Sequence, residues 1–214
     1  MARMMSHDIG PYAFPGRRPG MKTTLLKSEA YTRSPWKNGG GVFTDIADAH
    51  RAGSPVNDWD SLLWRFASTP IVAPGPFSYM PGIDRLQMVV GGRGLVLKSP
   101  TQDFDEREPF TTVRFTGETE IVTALESGPV EVVNLMARRG AAEIALLALR
   151  EPGERQLPAG THLVYAAHGD CQIRLDGEDL SISHEDTLKV ELTGASTLAL
   201  VAGLAVLASI RIVS

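Results

Sequence analysis

The run Trp36-Lys37-Asn38-Gly39-Gly40-Gly41 sets an aromatic plate, an ammonium and an amide before three bare backbone units. Successive glycines contribute nothing to packing. They permit positive φ and let a ligand come close to backbone amides. Bare amides beside a cation suit a small anionic or carbonyl-bearing molecule. A second cation, Arg65, sits inside the apolar stretch Leu62-Leu63-Trp64-Arg65-Phe66-Ala67. A charge in such a run either points to water or is paired inside. If Trp64 and Phe66 face a core, strand alternation turns Arg65 to the opposite face, where a guanidinium fork would hold a carboxylate. An exposed strand arginine is the alternative, and both placements stay open. Asp84 and Arg85 are adjacent, so on a strand only one of them enters a given pocket while the other ties down a loop. Asn134, inside Val132-Val133-Asn134-Leu135-Met136, is either a buried staple or a pocket amide.

Other chemistries find little support. There is no Gly-x-Ser-x-Gly elbow, no Walker loop and no dinucleotide fingerprint. Cys171 follows Gly-Asp at a strand start, where a single thiol serves packing. It is the only cysteine, so no internal disulfide forms, in agreement with a reducing, cytoplasmic location. Net charge is −4 with acids and bases interspersed, which argues against nucleic acid as a partner. The longest charge-free apolar run, Leu198 to Ile210, is 13 residues with Gly203 inside it. That is too short for a membrane helix and fits one or two buried strands.

Strand signals dominate the elements that must position these residues. Thr23 to Leu26, Leu62 to Ala67, Leu86 to Val90, Leu95 to Leu97, Thr112 to Phe115 and Val130 to Met136 are short, apolar or β-branched, and separated by Gly, Pro and Asp clusters. Residues 171–175 and 178–182 flank Asp176-Gly177, the signature of a type I′ hairpin. Gly140 to Leu149 has helical propensity, yet its strand neighbours make a strand the expected state. A short helix is expected within Asp58 to Leu63. The first twenty residues hold no apolar h-region, so they are read as a disordered extension and not a secretory signal.

A weak repeat runs through the chain. At a shift of 77 residues Pro81 falls on Pro158, Leu86 on Leu163, Gly92 on Gly169 and Val96 on Ile173. Further on, a shift of 68 sets Gly117-Glu118-Thr119 on Glu185-Asp186-Thr187, which implies nine extra residues in the first copy around Ser99 to Glu108. Two such copies make a duplicated β-sandwich or barrel.

The order of Pro-Gly turn, strand, Gly-x-Gly turn and later strand resembles a cupin. Trp36-Lys37-Asn38-Gly39-Gly40-Gly41, Trp64-Arg65, Phe77-Ser78, Pro81-Gly82-Ile83-Asp84-Arg85 and Gly128-Pro129 with Asn134-Leu135-Met136 are similar to the HutD/Ves family of bicupins. The resemblance runs from about Met21 to the C-terminus and is densest in the first two-thirds. Glu131 departs from it, since the family usually has an Asp before the Asn. The resemblance implies an all-β fold of two double-stranded β-helix (cupin) lobes: 1–20 an extension, 21–136 the first lobe, 137–214 the second lobe packed on it.

Metal-binding cupins place His-x-His on one strand, because alternation then turns both imidazoles inward. Here Gly82 to Gln87 has no histidine, and His162, His168 and His184 are not at i, i+2. Surface or loop histidines are expected, with no metal and no cofactor. The resemblance implies a role in histidine utilisation, through non-catalytic binding of a small carboxylate such as N-formylglutamate. The candidate ligand-binding residues are Trp36, Lys37, Asn38, Gly39, Gly40, Arg65, Asp84 and Arg85. The runner-up is a metal-independent isomerase or hydrolase with Lys37 or Asp84 as acid or base. A third reading is an interaction module that forms a homodimer through a lobe edge.

Overall fold

A computed structural model describes residues 19–35, 42–53 and 59–213. The first half carries β1 (Met21–Leu26), β2 (Thr32–Pro35), β3 (Val42–His50), β4 (Leu62–Ile71), β5 (Ile83–Gly91), β6 (Leu95–Lys98), β7 (Asp103–Glu106), β8 (Thr112–Thr116), β9 (Val122–Leu125) and β10 (Val130–Arg138). The second carries β11 (Ala142–Leu149), β12 (Gly153–Leu157), β13 (Gly160–Tyr165), β14 (Cys171–Leu175), β15 (Glu178–Ile182), β16 (Thr187–Leu192), β17 (Ser196–Ala202) and β18 (Ala205–Ile212). Three-residue 3₁₀ turns at Ser28–Ala30 and Trp59–Ser61 are the only helical elements among the described residues. The all-β expectation holds. No helix among the described residues is long and apolar enough to cross a membrane.

The two halves share one strand order. In the first, β4-β10-β5-β8 faces β9-β6-β7; in the second, β11-β18-β13-β16 faces β17-β14-β15. The spacing corrects the expected nine-residue insertion. Ile83 and Gly160 open equivalent strands 77 residues apart, and Thr112 and Thr187 do so 75 apart. The polar segment around Ser99 to Glu108 is therefore not an insertion. It contains β7, the counterpart of β15, and its acidic residues hid a strand that buries only Glu106.

Three apolar clusters hold the halves. One lies between the lobes, where Trp64, Phe66, Leu86, Met88, Val133 and Leu135 meet Leu146, Leu163, Tyr165, Val206 and Ala208. Phe66 and Tyr165 cross edge to face with centroids 6.0 Å apart. A second cluster fills the second barrel, mostly with Leu, Ile and Val. The third fills only part of the first barrel. Central strands β4, β5 and β10 thus bury both faces, one against the other lobe and one in the first barrel. This is why they read as near-continuous apolar runs interrupted by single polar residues.

Local predictions resolve in detail. The expected hairpin is β14–β15, with Asp176 at φ 48° and Gly177 at φ 87°, both left-handed as a type I′ turn requires. Gly140 to Leu149 contains a strand, β11, because pairing with β18 outweighs Ala and Leu helix propensity. The run Leu198 to Ile210 divides into β17 and β18 at Gly203, φ 84°.

The N-terminal strand crosses the predicted lobe boundary. β1 pairs antiparallel with β16 of the second half from Met21↔Leu192 to Leu26↔Thr187, and Met21 and Leu25 pack on the second core. Lys27 Nζ bonds Asp186 Oδ2 at 2.7 Å, and the Tyr31 hydroxyl lies 2.8 Å from that of Thr187. A chain starting at Ser28 is therefore expected to be less stable than one starting at Pro19, by at least about 1.5 kcal/mol for the lost apolar burial. Equal denaturant midpoints for the two chains would show that β1 contributes nothing.

Candidate functional site

Alternation on β4, β5 and β10 places polar side chains inside the first barrel. Cross-strand pairing aligns Asp48, Arg65, Met136, Arg85 and Phe115 in one row. The next row is Asp45, Ala67, Asn134, Gln87 and Val113. Facing cross-strand residues share a face, so Arg65 and Arg85 both turn into the barrel. Arg65 is buried and ion-paired, so the exposed placement is not the one observed.

The two arginines differ in their company. Arg65 is already neutralised: its Nε is 3.1 Å from Asp45 Oδ1, and its Nη2 is 3.6 Å from Asp48 Oδ2. Its guanidinium also lies 4.7 Å from the Trp59 ring. Burial raises the Asp45 carboxyl above its ordinary range, while Arg65 pulls the other way. Asp48 is held from behind by His50 Nε2 at 3.3 Å, and His50 Nδ1 meets Ser61 Oγ at 2.9 Å. Ser61 is 3% exposed, so this chain of hydrogen bonds positions Asp48 and offers no accessible nucleophile.

Arg85 lies between Phe77 and Phe115, its guanidinium 4.9 Å from each ring. Its Nη2 donates to Asn134 Oδ1 at 2.7 Å, so Asn134 is the staple that aims it. Two residues along the same face, Gln87 Nε2 donates to Glu106 Oε2 at 2.7 Å. Three buried atoms of this group, Arg85 Nε, Gln87 Oε1 and Glu106 Oε1, have no hydrogen-bond partner. Buried polar atoms are almost always paired, so three orphans in one barrel mark a place for something else. Burial pushes the Glu106 carboxyl up to about 8, against the opposing pull of Gln87 and Arg85. Burial also lowers Arg85, yet only to about 10, so it stays charged at neutral pH. At neutral pH the interior thus holds a guanidinium faced by a protonated acid. That combination accepts an incoming carboxylate.

The raised acid has a measurable consequence. The unfolded chain releases the Glu106 proton near the ordinary carboxyl range, and the native barrel keeps it until about pH 8. Its contribution to stability is full at low pH and is lost as pH rises through that window. Glu106→Gln is expected to flatten the fall in unfolding free energy between about pH 5 and about pH 9. Denaturant titrations with the same slope in both proteins would contradict this.

Asp84 faces the other way. It accepts from Arg139 Nε at 2.9 Å on the barrel exterior, and Arg139 also bonds Glu118, whose carboxyl it holds down to about 2. The Arg139 clamp ties Asp84 to the loop after β8, as expected for whichever neighbour stayed outside. Asp84 borders a surface cleft of about 300 Å³ with Phe104, Arg114 and Phe115. A second cleft of about 460 Å³ is walled by Phe77, Tyr79 and Ile121. Neither is lined by Arg65, Arg85, Gln87, Glu106 or Asn134. The clefts share Phe77 and Phe115 with the Arg85 sandwich, and the buried orphan atoms favour the interior as the site.

Trp36, Lys37, Asn38, Gly39 and Gly40 lie outside the described residues. The strands on either side pair at Pro35↔Val42, and the next residue, Phe43, has its ring 5.8 Å from the Arg65 guanidinium. The expectation of surface or loop histidines fails for His162. It is a buried strand residue with Nδ1 2.8 Å from Ser209 Oγ and Nε2 2.9 Å from the Pro158 carbonyl. The pair His162–Ser209 occupies the strands equivalent to those of Arg85–Asn134, so the second barrel repeats the polar staple, and its buried orphan is Ser196 Oγ. Among the described residues, no three His, Cys, Asp or Glu side chains are grouped so as to hold a metal ion.

The model of the HutD family matches residues 28–208. This chain belongs to the HutD family. A curated relative, an uncharacterized 21.2 kDa protein in the hutC 3′ region of Pseudomonas putida, is 27% identical over 168 residues, 78% of this chain and 86% of that protein. A solved protein of unknown function from Pseudomonas aeruginosa PAO1 is 25% identical with a TM-score of 0.77, covering 90% of this chain and all of that one. The structure of HutD from Pseudomonas fluorescens SBW25, titled for a formate condition, is 24% identical with a TM-score of 0.73 over 90% of this chain and all of that one. The HutD family assignment made from the motifs holds. Within this HutD-family fold, the sequence motifs led to Arg65, Asp84 and Arg85 but passed over Gln87 and Glu106. Gln87 was legible, because Arg85-x-Gln87 has the i, i+2 spacing that turns two side chains inward. Glu106 was not, because it lies in the acidic run Asp103-Phe104-Asp105-Glu106, which reads as a solvated loop.

Proposed function

We propose that this protein binds a small carboxylate-bearing metabolite inside its first barrel, without chemical turnover, as part of histidine utilisation. The observation that carries the reading is the Arg85 guanidinium: buried, sandwiched by Phe77 and Phe115, and with Nε unpartnered. Arg65, Met136 and Asn134 are proposed to complete the wall, and Trp36, Lys37, Asn38, Gly39 and Gly40 to contribute to ligand binding. The link to histidine utilisation is supported by family membership and by the relative named for the hutC 3′ region. Binding is preferred to catalysis because Asp84, one of the two candidate acid–base groups, is clamped by Arg139 on the exterior.

The test is a thermal-shift and calorimetric screen of N-formylglutamate and other small acids against their neutral amides. A ligand at a hundred times its dissociation constant stabilises the native state by about 2.7 kcal/mol. The acids are expected to stabilise and the amides to fail. Equal affinity of the native protein for an acid and its amide would sink the carboxylate assignment.

A further inference from the structure

The unpaired atoms in the first barrel say more about the ligand than its charge. Arg85 Nε is a donor and Gln87 Oε1 an acceptor, two residues apart on one face of β5, yet each is buried without a partner. They do not satisfy one another, so whatever satisfies them must offer an acceptor to one and a donor to the other. The observed Gln87 amide orientation leaves its oxygen turned toward the interior. Its amide nitrogen is held by Glu106 Oε2 at 2.7 Å, which directs Oε1 away from Glu106. In that orientation Glu106 Oε2 accepts, so the neutral carboxyl carries its proton on Oε1.

Resting on the carboxylate reading above, we infer that the ligand carries an N–H or O–H donor beside its carboxylate, that Gln87 Oε1 reads this donor, and that Glu106 is the positioning residue holding Gln87 in the reading orientation. The ligand class is a hydroxy acid or an N-acylated amino acid, not a plain alkyl carboxylate. The physical reason is asymmetric. An analogue lacking the donor leaves the buried Gln87 oxygen unpaired, and a site built to hydrogen-bond such a group rejects that analogue strongly. Arg85 is the charged group facing Glu106, and the Val89 backbone and Gln87 side chain are its other polar neighbours. Raised by burial, Glu106 stays neutral at neutral pH and keeps its donor there.

Isosteric acid pairs test this directly by calorimetry on the full chain. Glycolate against propionate exchanges a hydroxyl for a methyl, and N-acetylglycine against acetoxyacetate exchanges an N–H for an oxygen. The donor-bearing member of each pair is expected to bind at least about tenfold tighter. Gln87→Met is expected to collapse that ratio toward one. Glu106→Gln, which can still engage Gln87, is expected to keep the ratio but remove the loss of affinity for all four acids as pH passes about 8. If all four acids bind with equal affinity, the donor inference falls while the carboxylate reading stands, and the orphan atoms belong to buried water. If none of the four binds, both fall. A ratio unchanged in Gln87→Met would remove Gln87 as the reader even if discrimination is seen.

Discussion

Phe66→Ala is expected to lower the unfolding free energy by about 3–5 kcal/mol, the range for a large aromatic removed from a core. Phe66 is fully buried in the cluster shared by the lobes and meets Tyr165 of the second half edge to face. The loss is therefore expected in a single transition that moves both halves together. Two probes settle this: intrinsic tryptophan fluorescence, whose three tryptophans all lie in the first half, and far-ultraviolet dichroism, which sees both. Coincident midpoints are expected for the native protein and the variant. Separate transitions, or a stable isolated segment 137–214, would show that the shared cluster is an accessory contact. Pairing of β1 with β16 supports the first outcome, because it stitches the start of the chain into the second half.

Arg85→Ala is expected to weaken carboxylate binding by about 1.5–3 kcal/mol, the range for a hydrogen bond to a charged group. It is also expected to erase the preference for an acid over its amide. Some stability goes with it, since Asn134 Oδ1 loses its donor and two phenyl rings lose their cation. Arg85→Met keeps much of the volume and separates the two effects. Arg65→Ala is expected to act differently. Its first consequence is an unpaired buried carboxyl at Asp45, so stability falls, and most where that carboxyl would be ionised. Binding measured at matched fraction folded ranks the two arginines. A larger binding loss for Arg65→Ala than for Arg85→Ala would reverse the assignment of the ligand-facing cation.

Much of the scaffold was legible because short-range chemistry dictates it. Asp176-Gly177 demands left-handed φ at two successive residues, and one hairpin geometry accepts that. Alternation set Arg65 on the face opposite Trp64 and Phe66 and left open whether that face was buried or exposed. The repeat was legible where turns repeat, at Gly92 and Gly169, and misleading where the first copy is acidic. Asp103, Asp105 and Glu106 look like a solvated loop because a sequence shows charge but not desolvation.

The sequence by itself determined that this is an all-β chain of HutD type with arginines on buried strands, since motif spacing and period-two alternation are local properties. Only the tertiary structure decided which arginine is available to a ligand. Arg65 meets Asp45 and Asp48 across β3, while Arg85 meets an acid that burial keeps neutral. The charge of Glu106 depends on what surrounds it in space, and its neighbours Arg85 and Gln87 come from another strand, about twenty residues away. No local pattern encodes that solvation, so the site's electrostatics appear only once the barrel has closed around it.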